Sequence, residues 1–164
     1  MQLPDAEQLC ADLAARLRPD LRPDSVLVGI HTGGVWVAQR LHAVLGLDTP
    51  LGSIDVAFYR DDFSRVGLHP QIRSSEMPFE VADRPIVIVD DVLYTGRTVR
   101  AALNEIFDYG RPARVDLAVL VDRGGRELPV CPRWVGHVLA VETGKNLQLE
   151  RGADGRLSLR LIDA

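Results

Sequence analysis

Short apolar runs recur along the chain and predict the strands of a buried sheet. Residues 25–30, 86–91, 115–121 and 135–141 are rich in valine, isoleucine and leucine. Continuous runs of β-branched residues are typical of parallel strands that are covered on both faces. In residues 51–59 apolar side chains alternate with others, as in a strand with one buried face. These runs together predict a central, mostly parallel sheet.

Helical periodicity appears between the runs. Residues 5–18 carry leucines on one face, and Asp5 and Gln8 have the spacing of a capping box. Two further helices follow glycine-containing turns and end at Gly46 and near Gly110. The apolar positions with helical spacing are Leu9, Leu13 and Leu17; Ala38, Leu41 and Leu45; and Val99, Ala102, Leu103 and Ile106. Strands that alternate with helices predict an α/β fold with helices flanking the sheet.

Two segments lack this alternation of strand and helix. Residues 60–80 are polar, contain glycine and proline and show no period, which predicts a long flexible loop. Loops of that length inside a compact domain are usually functional or disordered. Residues 147–162 alternate around a glycine turn at 152–155, which predicts a C-terminal β-hairpin.

The composition limits the partners and the location of the protein. At 164 residues the chain fits a single domain, residues 1–164. Its 19 basic and 23 acidic residues give a net charge of −4, so no overall positive field attracts nucleic acid. Cys10 and Cys131 are isolated, as expected of reduced thiols in a cytoplasmic protein. The sequence shows neither a signal-like N-terminus nor an apolar run of membrane length.

The most informative stretch spans residues 86–98, where two carboxylates precede a short loop. Asp90 and Asp91 are predicted to emerge at the carboxyl end of a buried strand, which is the edge where open α/β sheets bind ligands. Residues 95–98 then lead into a helix whose N-terminus favours an anion. Carboxylates can accept hydrogen bonds from a vicinal diol. A phosphorylated ribose offers both the diol and the anion.

An acidic strand end also occurs in two unrelated kinds of site. A Walker B strand of an NTPase needs a partner sequence G-x-x-x-x-G-K-[ST], which this chain lacks. The acidic pocket of a response regulator is expected near the first strand. Because the loop follows the acids directly, the sugar phosphate interpretation is stronger than either of these.

Three further segments acquire a role only in relation to that site. Residues 32–34 turn from the first strand into a helix, and parallel strands would place this turn at the same edge of the sheet. Alone, it indicates an ordinary strand-to-helix turn. Arg60 begins the long loop, which alone indicates a solvated charged segment but also suits a lid that excludes water. Residues 122–129 could form a small hood over a base, or a surface turn.

Several of these stretches resemble a known family. Residues 86–98 resemble the phosphoribosyl pyrophosphate (PRPP) signature of type I phosphoribosyltransferases. The segments LVGIHTGG, IDVAFYRDD, VDDVLYTGRTVRAAL and AVLVDRGGRELP look like the PyrR family, the bifunctional pyrimidine operon regulators with uracil phosphoribosyltransferase activity. The resemblance covers residues 27–129. It implies a type I phosphoribosyltransferase fold with a flexible loop and a small hood.

The resemblance also implies an activity and a set of partners. The expected reaction forms UMP and pyrophosphate from uracil and PRPP, with Mg²⁺ bound mainly through PRPP and pyrophosphate. A pyr mRNA leader is the RNA partner that the family implies, and a homodimer or higher homo-oligomer is the expected assembly. No direct metal ligand of the protein is implied.

The family's functional residues fall on definite positions of this chain. Asp90 and Asp91, with Arg60 from the flexible loop, form the implied catalytic set. The implied PRPP and nucleotide site comprises Thr32, Gly33, Asp90, Asp91, Val92, Leu93, Tyr94, Thr95, Gly96, Arg97 and Thr98. The implied base-side residues are Val121, Asp122 and Arg123.

Two departures from the family keep other functions open. Members that bind RNA usually carry an arginine where this chain has Gly33 or Gly34, and a longer basic segment than residues 1–24. One alternative is an RNA-binding attenuator that uses the pocket as a UMP or UTP sensor with little catalysis, which requires arginines gathered into one surface. The other is a purine salvage phosphoribosyltransferase, although the hood region offers only Trp134 and no lysine for a purine pocket.

Overall fold

A computed structural model describes residues 2–56 and 75–164 of the chain. Within that part, the helices are α1 (Ala6–Leu17), α2 (Gly33–Leu45) and α3 (Arg97–Tyr109), with a 3₁₀ turn at Arg18–Asp20. The strands are β1 (Val26–Ile30), β2 (Gly52–Ile54), β3 (Pro85–Leu93), β4 (Arg114–Asp122), β5 (Trp134–Val138), β6 (Lys145–Arg151) and β7 (Leu157–Asp163).

The first five strands form one parallel sheet in the order β2-β1-β3-β4-β5. Strand β3 is central and pairs with β1 on one side and β4 on the other. The last two strands form an antiparallel hairpin, with Lys145 opposite Asp163 and Arg151 opposite Leu157. The predicted α/β fold, with a parallel sheet flanked by helices and a C-terminal hairpin, is confirmed.

Successive residues of the strands pack into two separate core layers. In β1, Leu27 packs into the layer that contains α1, α2 and the hairpin leucines, whereas Val26 and Val28 pack into the layer that contains α3. Burial on both faces explains why these strands read as continuous apolar runs.

The strand ends differ from the prediction because pairing with neighbours sets them. Strand β3 continues past the predicted 86–91 to Leu93, since β4 supplies partners as far as Asp122. Strand β5 ends at Val138 instead of continuing to residue 141, because its last partner is the end of β4. Strand β2 covers only Gly52–Ile54 of the predicted 51–59, and residues 57–59 lie outside the described part.

The predicted long loop is described only from residue 75 onward. There it is attached to the sheet, because Ser53 and Glu76 exchange two backbone hydrogen bonds of 2.8 Å. Arg60, and all loop residues up to 74, lie outside the described residues.

The predicted capping box at the start of α1 is only half formed. The Asp5 carboxylate accepts from the Gln8 backbone N–H at 3.0 Å, as predicted. The Gln8 side chain instead donates forward to Asp12 at 2.9 Å. A glutamine can take either partner, since both lie within one helical turn of it.

The hairpin is fixed to the first two helices through Glu7. This carboxylate accepts two hydrogen bonds from Arg40 of α2, at 3.0 and 3.1 Å, and a third from the backbone N–H of Leu157 at 2.8 Å. The Arg40 guanidinium lowers the pKa of Glu7 despite the opposing effect of burial. One carboxylate thus joins α1, α2 and β7.

In the described residues, no helix has the length and apolar character needed to cross a membrane.

Candidate active site

The acidic pair, Asp90 and Asp91, lies near the carboxyl end of the central strand. Asp90 is buried, with 6% of its surface exposed, and its Oδ1 accepts from the backbone N–H of Asp91 at 3.0 Å. Asp91 is only partly buried. Both acids lie within β3, in agreement with the predicted strand at residues 86–91, and β3 continues beyond them to Leu93. A strand backbone fixes the direction of each carboxylate more firmly than a loop would.

The glycine turn, residues 31–34, lies directly against the acidic pair. A Cβ atom placed on Gly33 would be 2.2 Å from Oδ2 of Asp91. A Cβ placed on Gly34 would be 2.6 Å from the carbonyl oxygen of Val89 and 3.1 Å from Cα of Asp90. Only glycine allows so close an approach. The structure therefore brings Gly33 and Asp91 together, as parallel strands predict.

The threonine loop, residues 94–98, turns from β3 into α3. Thr95 is buried and its Oγ1 accepts from the backbone N–H of Arg97 at 3.2 Å. Gly96 precedes the first helical residue at φ +95°, a left-handed conformation that favours glycine. The first turn of α3 contains no acidic residue. The positive end of this helix therefore faces the loop without a carboxylate of its own to neutralise it.

The hood comprises the predicted segment, residues 122–129, together with Val130, and its backbone is bonded to the end of β3 and to the threonine loop. Arg123 donates its N–H to the carbonyl of Leu93 at 3.0 Å. Glu127 and Leu128 both donate their N–H groups to the carbonyl of Thr95, at 2.9 and 3.1 Å. The hood segment is thus attached through its backbone to the end of β3 and to Thr95 of the threonine loop.

The three predicted base-side residues have different surroundings. Val121 is fully buried at the end of β4. Burial acts to raise the pKa of Asp122, but hydrogen bonds from Arg126 and from the Gly124 N–H hold it below its usual range. The Arg123 guanidinium lies 4.0 Å from the centroid of the Tyr94 ring and donates to the hairpin. Its acceptors there are Oδ1 of Asn146 at 3.1 Å and the Lys145 carbonyl at 3.2 Å.

The sequence pattern does not single out Arg126, whose side chain connects both ends of the hood to the threonine loop. It lies in the predicted hood segment, but a single arginine in a glycine-rich turn has no distinguishing pattern. Its partners become visible only when the turn is folded.

In the described part of the chain, no cluster of three or more His, Cys, Asp or Glu side chains could hold a metal ion.

The sequence matches the family model for the phosphoribosyl transferase domain over residues 1–138. Its curated relatives include proteins named "Bifunctional protein PyrR". The one from Nitrosococcus oceani is 53% identical over 157 residues, which cover 94% of this chain and 89% of that protein. The one from Pseudomonas aeruginosa PAO1 is 50% identical over 168 residues, covering 100% of this chain and 99% of that protein. The chain belongs to the PyrR family.

Solved structures similar to this PyrR family member share its fold. A purine phosphoribosyltransferase from Pyrococcus horikoshii has a TM-score of 0.63 at 28% identity, covering 86% of this chain and 89% of that one. A hypoxanthine-guanine phosphoribosyltransferase from Bacillus anthracis has a TM-score of 0.66 at 15% identity, with 86% and 85% covered. At 15% identity, the similarity to the Bacillus anthracis enzyme shows a shared fold only. The phosphoribosyltransferase fold that the sequence predicts is thus confirmed.

Proposed function

We propose that this protein is a uracil phosphoribosyltransferase that transfers the phosphoribosyl group of PRPP to N1 of uracil, giving UMP and pyrophosphate. The observation that carries the proposal is the contact between Gly33 and Asp91. It unites the glycine turn and the acidic pair at one edge of the sheet, where the threonine loop also lies. A substrate with a diphosphate, a ribose diol and a 5′-phosphate needs these three features side by side.

Each feature has a role that follows from its chemistry. The threonine loop would bind the 5′-phosphate, since backbone N–H groups at a helix N-terminus and the threonine hydroxyls are donors. Asp90 and Asp91 would accept hydrogen bonds from the ribose hydroxyls. Thr32 and Gly33 would face the diphosphate, with Arg60 from the long loop as the implied cationic partner. Val121, Asp122 and Arg123 would border the base.

The protein would act by positioning and electrostatics. Positive charge develops at C1 of the ribose as the diphosphate leaves, and the carboxylates of the acidic pair would stabilise it. No covalent nucleophile of the protein is needed, because the incoming uracil nitrogen attacks C1 directly. The half-buried position of Asp91 keeps its charge effective while leaving it accessible to a substrate.

The residues present fit a magnesium ion that arrives with the substrate. Phosphoribosyltransferases generally use Mg²⁺ with PRPP. This ion prefers oxygen ligands and is usually held by one or two carboxylates together with substrate phosphates. The acidic pair supplies such carboxylates beside the glycine turn. When bound, Mg²⁺ would neutralise charge on the diphosphate.

Uracil is favoured over a purine by the family relationship. The relatives near 50% identity are PyrR proteins, whereas the purine enzyme from Pyrococcus horikoshii is 28% identical. In the described hood, residues 122–130, no lysine is present and the aromatic residue Trp134 is 6% exposed in β5. Its indole N–H donates to Asp20 at 3.0 Å. Trp134 is therefore not placed to stack on a base.

A steady-state assay of pyrophosphate release tests the proposal. The protein is supplied with PRPP, Mg²⁺ and one of uracil, hypoxanthine, guanine or orotate. We expect turnover with uracil and none above background with the other three. Turnover with hypoxanthine or guanine would establish the purine alternative, and UMP binding without any turnover would establish the sensor alternative.

A regulatory function is the second part of the proposal, because the relatives are named bifunctional. We propose that a pyr mRNA leader is bound by arginines on the surface of α1, α2 and the hairpin. Arg40, Arg151 and Arg156 line an open cleft of about 560 Å³ there. Arg40 is paired with Glu7 and Arg156 with Asp5, so their positive charge is partly offset. Assembly into a cytoplasmic homodimer or larger homo-oligomer would be needed to strengthen the positive potential that attracts RNA.

The RNA proposal predicts a strong dependence on salt. Affinity for a pyr leader transcript should fall linearly on a log–log plot as salt rises, because counterions are released from the phosphates that the arginines neutralise. Arg151→Ala should weaken binding and flatten that slope, whereas Arg114→Ala, at the start of β4 and outside the cleft, should do neither. Equal binding by wild type and Arg151→Ala would contradict this surface.

A further inference from the structure

The Arg126 side chain joins three separate points of the candidate site. Its Nη1 donates to the carbonyl oxygen of Tyr94 at 3.0 Å, which is in the threonine loop. Its Nη2 donates to Oδ2 of Asp122 at 2.5 Å, at the start of the hood. Its Nε donates to the carbonyl oxygen of Val130 at 3.2 Å, at the end of the hood. One guanidinium therefore binds both ends of the hood and the loop.

This cluster is shielded from solvent. The side chains of Arg126 and Asp122 are 25% and 16% exposed. A charge-assisted pair that is mostly removed from water is stronger than an exposed one. By comparison, the ion pair that joins the threonine loop to the hood, Arg97 to Glu127, has side chains that are 48% and 54% exposed. An exposed pair contributes little.

The surfaces that Arg126 connects are also closely packed. A Cβ on Gly125 would lie 2.4 Å from Cε2 of Tyr94, and a Cβ on Gly96 would lie 2.4 Å from Cγ2 of Val130. The hood therefore lies against the loop with no room for an inserted side chain. Its position relative to the loop is set by these contacts and by the three acceptors of Arg126.

We infer that Arg126 is a positioning residue that couples the base-side hood to the 5′-phosphate loop. The inference rests on the proposed function, in which the threonine loop holds the 5′-phosphate and the hood borders the base. Arg126 itself touches neither ligand in this account. It holds Asp122 and the hood in a fixed position against the loop.

Removing Arg126 should weaken binding of the base more than binding of the 5′-phosphate. The Thr95 carbonyl keeps its two backbone hydrogen bonds, and α3 keeps its N-terminus, so the phosphate site stays formed. The two ends of the hood lose their common donor, and the partly buried Asp122 carboxylate loses Arg126 and keeps only the Gly124 N–H among the donors observed for it. The base site is therefore displaced while the loop remains.

The test compares UMP with ribose 5-phosphate in titration calorimetry. In Arg126→Ala, we expect UMP affinity to fall about tenfold, because the hood that borders the base is no longer held against the loop. Ribose 5-phosphate affinity should stay within about twofold, as for a substitution away from the ligand. In turnover, KM for uracil should rise and KM for PRPP should not. Arg126→Lys should recover part of the UMP affinity, because an ammonium can still reach Asp122 and one carbonyl.

Arg133→Ala is the matched control. Arg133 also contacts two carboxylates, Asp116 at 3.1 Å and Asp20 at 3.7 Å, but it precedes β5 at the opposite end of the sheet. It should lower stability without changing the ratio of the two affinities. Equal weakening of UMP and ribose 5-phosphate in Arg126→Ala would overturn the inference. Wild type that binds UMP but never turns over uracil would instead defeat the proposed enzyme and leave this comparison valid.

Discussion

Asp91→Asn is expected to lower kcat for UMP formation by about 10²-fold or more, the scale found when one preorganised electrostatic group is removed. Asp91 lies over Gly33, at the junction of the glycine turn and the acidic pair. Asparagine has nearly the same shape, so it keeps the packing but loses the negative charge that would face the developing cation. The free energy of unfolding should therefore change far less than kcat.

The measurement is steady-state turnover with uracil and PRPP, paired with urea unfolding of the same samples. Asp12→Asn is the control, because Asp12 is exposed on α1 and accepts only from Gln8 among the contacts observed for it. It should leave kcat unchanged. Wild-type turnover in Asp91→Asn would refute the role of the acidic pair.

Gly33→Ala is expected to lower kcat by about 10²-fold, the scale of an atomic misplacement of roughly 1 Å in an active site. The added Cβ would lie 2.2 Å from Oδ2 and 2.5 Å from Cγ of Asp91, so this carboxylate must move. Asp91 is partly exposed and its side chain can rotate, so the fold should tolerate the change. The loss should therefore appear in turnover.

Gly34→Ala makes a useful contrast with Gly33→Ala. Its Cβ would meet the backbone carbonyl of Val89 at 2.6 Å, and a strand backbone cannot rotate aside. We expect a loss of about 1–3 kcal/mol in the free energy of unfolding, as for an overpacked core.

A double-mutant cycle checks the reason for the Gly33 effect. If Gly33→Ala acts by displacing Asp91, it should cost almost nothing further in the Asp91→Ala background. Fully additive losses in kcat would show that Gly33 acts independently of Asp91.

Much of the fold could be predicted because buried positions are apolar and recur along the sequence at the spacing of the strand or helix that carries them. Strands β1, β3 and β4 are covered on both faces and read as apolar runs, and Gly46 ends α2 in the left-handed conformation that favours glycine. The exact strand ends were wrong since they depend on the neighbouring strand. The extension of β3 past Asp91 to Leu93 is one result of that dependence.

The part of the site that is built from residues adjacent in sequence could also be predicted. Acids and threonines next to a strand are local signals, and topology alone brings the glycine turn to the same edge. The contacts between separate segments could not be predicted. The approach of Gly33 to Asp91 and the three acceptors of Arg126 join residues far apart in sequence, and no local pattern encodes their distances.

A crystal structure of the protein with UMP would show whether one nucleotide site lies at the carboxyl edge of the sheet. We expect the 5′-phosphate within hydrogen-bond distance of the threonine loop, the ribose hydroxyls on Asp90 and Asp91, and uracil beside the hood. UMP bound instead in the arginine-lined cleft between α1 and the hairpin, with the carboxyl edge empty, would contradict the account.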